Sequence, residues 1–273
     1  VLSRIARHPS FSYWLSTVRH LLRVGAGMET LRGGLVFAGS SDALLSHHLH
    51  DLQRFEIAAR IVALNSFKVS FLHVNSGPLV FPTTGIAIDG VNSSEPLELT
   101  VKSGISDCHI TLHQSERSIS LFTDQPWALR EVPQTITESA HGMRLLPMYR
   151  VNGSLPGYEI DPWDPYYRIV WVRNEAFPDK VNAPLVSEEN LLAWHSTLQT
   201  ATELMRRHHP TLAAEVSAVV SSLIPISSPD SAKSLSVTAP EFWGAIQCSL
   251  DPAPMMGEVL VHEYRHNLLH VLN

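Results

Sequence analysis

The chain has 273 residues, of which 44% are hydrophobic and 17% are charged, so it can bury a sizeable core. A formal net charge of −6, without a Lys/Arg cluster, argues against a nucleic-acid partner. No apolar run has the length of a membrane span and no signal peptide is recognisable, so we expect no membrane partner. The two cysteines, Cys108 and Cys248, provide no disulfide framework, and we therefore expect a reducing, cytoplasmic location.

Helices are predicted first along the chain, followed by strands. Residues 10–24 have helical apolar spacing, residues 25–39 are glycine-rich, and a long helix is expected over 41–64. From residue 67 the segments become short, β-branched and aromatic, with Gly, Asn, Ser and Pro between them. Strands are expected at 67–74, 79–88, 97–101, 108–112, 119–122, 127–132, 143–151 and 166–172.

Helical spacing returns at Ser187, a suitable N-cap, and a long amphipathic helix is expected to stop at Pro210. A second helix is predicted over 211–223, then a loop with a short strand over 224–240, and a strand over 242–250. That strand leads into a last helix, with Asp251 expected as N-cap and Pro252 at the first helical position.

The predicted fold class is α+β, with a mostly antiparallel β middle between helical sections. We expect one domain over residues 1–273, and we expect the sequence to be an excerpt of a longer chain that is truncated at both ends. Its expected subdivision is a helical part at 1–65, a β-rich part at 66–180 and a helical part at 181–273 that ends in the metal-site helix.

The last helix contains the string His262-Glu263-Tyr264-Arg265-His266, an H-E-x-x-H motif. Residues four apart project from the same face of a helix, so the two imidazoles can hold one metal ion with Glu263 beside them. With zinc, Glu263 would be the general base toward a metal-bound water that attacks a peptide carbonyl. With iron(II), two His and one further ligand leave positions open for a co-substrate and dioxygen. The motif alone does not choose between these metals.

The third ligand is not identified by the sequence. His270 lies about 12 Å along the helix axis from His262, which is too far for both to bind one ion on an intact helix. We therefore expect His270 to lie behind the ligands or on the surface, and not to bind the ion. No ligand role is expected for the helical His47, His48 and His50 or for the solvated His208 and His209. The pair His109 and His113 shares a strand face and is a remote alternative.

The segment from Gly244 to Pro252, followed by Glu258–His266 and Leu268-Leu269, resembles the HExxH-motif domains of bacterial ribosomal-peptide modification clusters. These domains occur alone or fused to radical SAM maturases, and the resemblance covers about the last thirty residues. It implies an iron(II)- and 2-oxoglutarate-dependent oxygenase that hydroxylates the β-carbon of residues in a precursor peptide. His262 and His266 then become iron ligands, and Glu263 supports a ligand or handles a proton. The sequence departs from the family pattern at Arg265, where Gln is more usual.

Three hypotheses follow for the function. The first is the peptide-modifying oxygenase, with a precursor peptide as substrate and a radical SAM maturase as a possible partner. The second is a zinc peptidase, in which the strand before the active helix pairs with an extended peptide. The third is a non-catalytic peptide-binding domain with a degenerate helix.

Overall fold

The computed structural model divides the chain into two compact units. It describes residues 53–61, 63–73, 77–81, 84–93, 95–105, 108–123, 135–140, 142–146, 149–151, 157–163, 188–226, 234–238 and 243–272. Those up to Leu146 belong to the first unit and those from 149 onward to the second. The predicted helix at 10–24, the glycine-rich stretch and the predicted strands at 127–132 and 166–172 lie outside the described residues.

The first unit contains two antiparallel sheets. Its described strands are β1 (Phe67–Leu72), β2 (Leu79–Phe81), β3 (Ile86–Asp89), β4 (Pro96–Ser103), β5 (Cys108–Gln114), β6 (Arg117–Thr123), β7 (Thr135–Ala140) and β8 (Arg144–Leu146). One sheet has the order β1-β4-β5-β6-β7 and the other has the order β2-β3-β8. Every neighbouring pair in both sheets is antiparallel, as predicted for the middle of the chain.

Strand β4 shows how the sequence forms this unit. Leu97, Leu99 and Val101 are buried while the residues between them are not, which is the two-residue period of a half-buried strand. The helical residues 53–61 contribute to the same core, and Ile57 and Ile61 are buried as predicted. The remainder of the helix predicted over 41–64 lies mostly outside the described residues.

Two predicted strands are wrong because each is divided in the structure. The segment 79–88 contains a turn at Thr84 and Gly85, where Gly85 has a φ of 73° and the Thr84 hydroxyl donates to the Phe81 carbonyl at 2.7 Å. The segment 143–151 is divided between β8 and a strand of the second unit. Strand β7 was not predicted, because its sequence TITESA has little of the apolar pattern that identifies a strand.

The second unit has a mixed sheet and three helices among its described residues. In chain order they are β9 (Tyr149–Arg150), β10 (Glu159–Ile160), α1 (Glu188–His208), α2 (Pro210–Val219), β11 (Ser222–Pro225), β12 (Ser236–Val237), β13 (Ala245–Cys248) and α3 (Ala253–Leu272). The sheet order is β12-β13-β11-β10-β9. Strands β10, β11 and β13 are parallel, whereas β9 and β12 are antiparallel to their neighbours. Helices therefore occur together with antiparallel sheets, and the fold class α+β is confirmed.

The helix boundaries near residue 210 follow from proline chemistry. Pro210 lacks the N–H that would continue α1 and instead occupies the start of α2, where that N–H is not needed. The predicted second helix is too long, since α2 ends at Val219 and Leu223 lies in β11. Val220 already has extended backbone angles of −77° and 123°, which direct the chain into the sheet.

Helix α3 begins one residue later than predicted. The Pro252 carbonyl accepts from the Met256 N–H at 3.0 Å, so Pro252 rather than Asp251 is in the cap position. The Asp251 carboxylate instead accepts from the hydroxyls of Ser234 at 2.6 Å and Ser249 at 3.5 Å. Only residues 249–252 separate β13 from α3, so the sheet fixes the direction in which the motif helix starts.

Candidate metal centre

Helix α3 places the motif at a boundary between core and solvent. It packs on α1, α2, β12 and β13. Met256, Leu260 and Tyr264 are buried at helical spacing, while His262 and His266 lie on the exposed side. The apolar stripe thus anchors the helix and leaves both imidazoles accessible to a metal ion from solvent.

The two motif histidines are brought together as the i, i+4 spacing predicts. Their Nε2 atoms are 3.1 Å apart, and their ring centroids are 4.6 Å apart. Two nitrogens at about 2.1 Å from one ion, at an angle of about 90° to 109°, are roughly 3.0 to 3.4 Å apart. The observed separation falls in this range, so neither ring has to move far to share an ion. In the absence of an ion, the same separation suits an N–H···N hydrogen bond between the rings.

Glu263 lies on a different side of the helix from the exposed histidines. It is 2% exposed, and its Oε1 accepts a hydrogen bond from the Ser236 hydroxyl at 2.6 Å. The same Oε1 is 3.9 Å from His262 Nε2. The other oxygen, Oε2, is buried and has no hydrogen-bond partner among the described residues. A buried carboxylate oxygen without a hydrogen bond costs free energy, so the bond from Ser236 to Oε1 is important for holding this side chain.

Asn267 is a second polar residue buried at this helix. Its Oδ1 accepts from the Gly244 N–H at 2.8 Å, and its Nδ2 donates to the Glu263 carbonyl at 3.1 Å. Gly244 has a φ of 89° at the turn into β13, a conformation that favours glycine. Asn267 therefore ties the motif helix to the start of the neighbouring strand.

Ser236 and Asn267 are the site residues that sequence reasoning missed. Asn267 lies between His266 and Leu268 on a predicted helix, and an Asn at such a position is only a weak signal for a buried hydrogen bond. Ser236 lies in a Ser/Pro-rich segment and carries no local signal, because its partner is 27 residues away.

A third protein ligand is not found among the residues that the structure describes. Within them, no group of three or more His, Cys, Asp or Glu is arranged to hold a metal ion. His208 and His209 are exposed, as predicted, and His109 and His113 lie exposed in the other unit. His47, His48 and His50 are outside the described residues, as is the side chain of His270.

A cavity of about 750 Å³ opens beside the first motif histidine. It lies between the end of α1, the start of α2 and the first half of α3. Its lining includes Leu204, Met205, Leu212, Gly257, Val261 and His262. The volume is in the range typical of small-molecule and side-chain sites, and a largely apolar lining with few polar groups is also typical.

Two titratable groups near the motif are held protonated. Burial raises the pKa of the Cys248 thiol, and the nearby Glu263 and Asp251 carboxylates raise it further. Burial also raises the pKa of Tyr264, whose hydroxyl donates to Glu215 at 2.9 Å. Cys248 is therefore a neutral core residue rather than a thiolate ligand, and Tyr264 anchors α3 to α2.

Arg265, between the motif's glutamate and its second histidine, is exposed. Its guanidinium carbon is 5.4 Å from the centroid of the Tyr264 ring, within cation–π distance. Arg265 thus covers the outer side of a buried tyrosine.

Comparison with known proteins gives no further assignment: no protein-family model matches the chain and no curated protein matches it. Within the described ranges, no helix has both the length and the apolarity needed to cross a membrane.

Proposed function

We propose that this protein is an iron(II)- and 2-oxoglutarate-dependent oxygenase that β-hydroxylates residues of a ribosomally made precursor peptide. The observation that supports it is the 3.1 Å separation of His262 Nε2 and His266 Nε2 on an exposed helix face. Neutral imidazoles suit iron(II) as well as zinc, so the donor set fits the proposed metal. When bound, iron(II) with 2-oxoglutarate and dioxygen supplies the chemistry that inserts one oxygen atom into a C–H bond.

The chain's own residues have separate tasks in this proposal. His262 and His266 hold the metal through Nε2, and the rigid helix keeps their spacing. Glu263 is held by Ser236 at 2.6 Å, so its carboxylate stays oriented beside His262 without binding substrate directly. Residues lining the cavity beside His262 orient the peptide and exclude water.

The proposal also covers the wider setting of the chain. A radical SAM maturase is a possible partner, and the location is the cytoplasm. A cytoplasmic location is in keeping with Cys108 and Cys248, which are both buried and are not joined in a disulfide. We retain the predicted order of a helical start, a β-rich middle and a helical end that carries the motif.

A zinc peptidase is the alternative, and two observations favour it. Glu263 Oε1 lies 3.9 Å from His262 Nε2, which is close enough to act on a metal-bound water. The strand before the motif helix, β13, was expected to pair with the peptide, but it is already paired with β11 and β12 and has no open edge. Strand β12 is at the edge of the described sheet, so an extended peptide could add beside that strand instead. Against this function, Glu263 is almost fully buried and already accepts the Ser236 hydrogen bond. A general base would have to exchange that bond for water.

The deciding experiment reconstitutes the full-length protein anaerobically with iron(II) or with zinc. A candidate precursor peptide, 2-oxoglutarate and oxygen are then added, and succinate and peptide mass are followed together. Succinate formed in step with the gain of one oxygen atom is the expected result. If the zinc form cleaves the peptide and the iron form produces no succinate, the protein is a peptidase instead.

Matched variants separate the metal site from general effects on the protein. His262→Ala and His266→Ala are expected to abolish both metal retention and turnover, whereas Arg207→Ala, an exposed position of α1 outside the cavity lining, leaves both unchanged. Metal content after dialysis is measured independently of activity. Peptide binding that persists in both motif variants, with no metal retained by the parent protein, would support the non-catalytic binding domain.

A further inference from the structure

We infer that the cavity beside His262 is a specificity subsite that receives a large apolar side chain of the peptide, either aromatic or branched aliphatic. The inference rests on the proposed function in taking a peptide as substrate. The occupant is a neighbour of the reacting residue rather than the reacting residue itself.

Continuity with the metal centre is the first support. His262 belongs both to the histidine pair and to the cavity lining, so a substrate bound at one reaches the other. Gly257 and Pro254 line the same cavity along α3. They lie about 7.5 Å and 12 Å from His262 along the helix axis. An extended peptide advances about 3.4 Å per residue, so the subsite is about two to four residues from the reacting position.

The character of the lining is the second support. Leu204, Leu212 and Val261 line the cavity and remain partly exposed, which leaves apolar surface that a ligand can cover. The polar lining residues His208, His209 and Glu258 are all exposed. An apolar side chain can be buried here while the polar peptide backbone remains near these groups and water.

Gly257 is the third support. It lies inside helix α3, where glycine is less favourable than alanine by about 1 kcal/mol. A Cβ atom at this position would meet only Met205 Cγ, at an ordinary 3.7 Å. Neither backbone strain nor close packing therefore requires glycine. The absence of a side chain instead keeps the cavity open along the length of the helix that leads to His262.

The first test measures an apolar probe, N-phenyl-1-naphthylamine, bound to the metal-free full-length chain. Gly257→Leu and Ala253→Leu place a large side chain in the cavity lining and are each expected to weaken probe binding by about 10-fold or more. Ala253 is only partly buried, so this variant keeps the test valid if Gly257→Leu does not fold. The control is Ala193→Leu, an exposed position of α1 outside the cavity, which leaves the affinity unchanged.

The second test asks whether the probe lies beside the histidine pair. Copper(II) and zinc are added in turn, since the paramagnetic copper ion quenches a nearby fluorophore and the zinc ion does not. Quenching by copper alone is expected. Equal fluorescence with both metals, or equal affinity in the filled variants, would overturn the inference.

The third test uses acetylated Gly-Gly-Xaa-Gly-Gly peptides as competitors of the probe. Peptides with Phe or Leu at Xaa are expected to displace it, and the Ser peptide is not. Equal competition by all three would contradict an apolar subsite. A failure of the proposed function can be told apart from a failure of this inference. In that case no iron-dependent product forms, while probe binding and quenching remain intact.

Discussion

Replacing Ser236 with alanine removes the hydroxyl that holds the Glu263 carboxylate at 2.6 Å. Hydrogen bonds to charged groups contribute about 2 kcal/mol, and loss of the donor leaves a carboxylate that is 2% exposed without its bond at Oε1. Because Oε2 already lacks a partner among the described residues, neither oxygen would then be satisfied by the protein. We therefore expect Ser236→Ala to lower the free energy of unfolding by about 2 kcal/mol.

The measurement is urea unfolding of the metal-free protein, followed by tryptophan fluorescence and circular dichroism. A double-mutant cycle with Glu263→Gln isolates the contact, since a neutral amide oxygen accepts a weaker bond of about 1 kcal/mol. The cost of Ser236→Ala should therefore fall by about 1 kcal/mol in the Glu263→Gln background. Ser234→Ala is the matched control, because its bond to Asp251 is exposed and should contribute less than about 1 kcal/mol.

The prediction is contradicted if Ser236→Ala lowers the free energy of unfolding equally, within about 0.5 kcal/mol, in the parent protein and in the Glu263→Gln variant. That result would mean that the hydroxyl stabilises β12 for a reason unrelated to Glu263. A change in the denaturant slope rather than in the midpoint would also contradict it, because the prediction concerns one contact and not the compactness of the unfolded chain.

Three further predictions concern the same helix. His266→Ala should weaken metal binding by more than about 100-fold, since loss of an outer-shell partner alone costs about 10- to 100-fold. Cobalt(II) titration measures the affinity, and a loss no larger than that of the exposed Arg207→Ala contradicts the prediction. Asn267→Ala leaves the Gly244 N–H without its acceptor and should destabilise the protein by about 2 kcal/mol in urea, and a neutral effect would show that this bond is dispensable. Tyr264 has a raised pKa in the folded state, because burial and the Glu215 carboxylate favour its protonated form. Its contribution to the free energy of unfolding is therefore full below about pH 10 and is lost as the pH rises through the pKa of the folded state. Tyr264→Phe should remove that part of the alkaline loss of stability, and an unchanged pH profile would refute the assignment.

The parts of the molecule that were predictable are those set by local periodicity. Leu97, Leu99 and Val101 identify β4 because alternate residues of a strand share a face. The i, i+4 spacing of His262 and His266 similarly determines that their rings meet on a helix. The cost of a proline inside a helix placed the end of α1 correctly.

The parts that were not predictable depend on contacts between distant segments. The parallel pairing of β11 with β13 leaves no local signal, because a short buried strand has the same apolar composition in either orientation. The contact between Ser236 and Glu263 and the cavity beside His262 arise only when separate elements pack. The candidate pair His262 and His266 could thus be found from the sequence. The contact of Ser236 with Glu263 and the residues that form the cavity could not.

The hydrogen bond from the Gly244 N–H to Asn267 provides a way to observe the candidate metal centre. An amide proton held by a buried side chain exchanges with solvent only when that local structure opens. The acceptor is the residue after His266, so separation of the motif helix from β13 would expose this proton at the moment the histidine pair loses its support. A ligand bound only to the closed form slows such opening in proportion to its concentration over its dissociation constant. If the proposed metal binds, the exchange rate of one backbone amide would therefore report on its occupancy from 23 residues away in the chain.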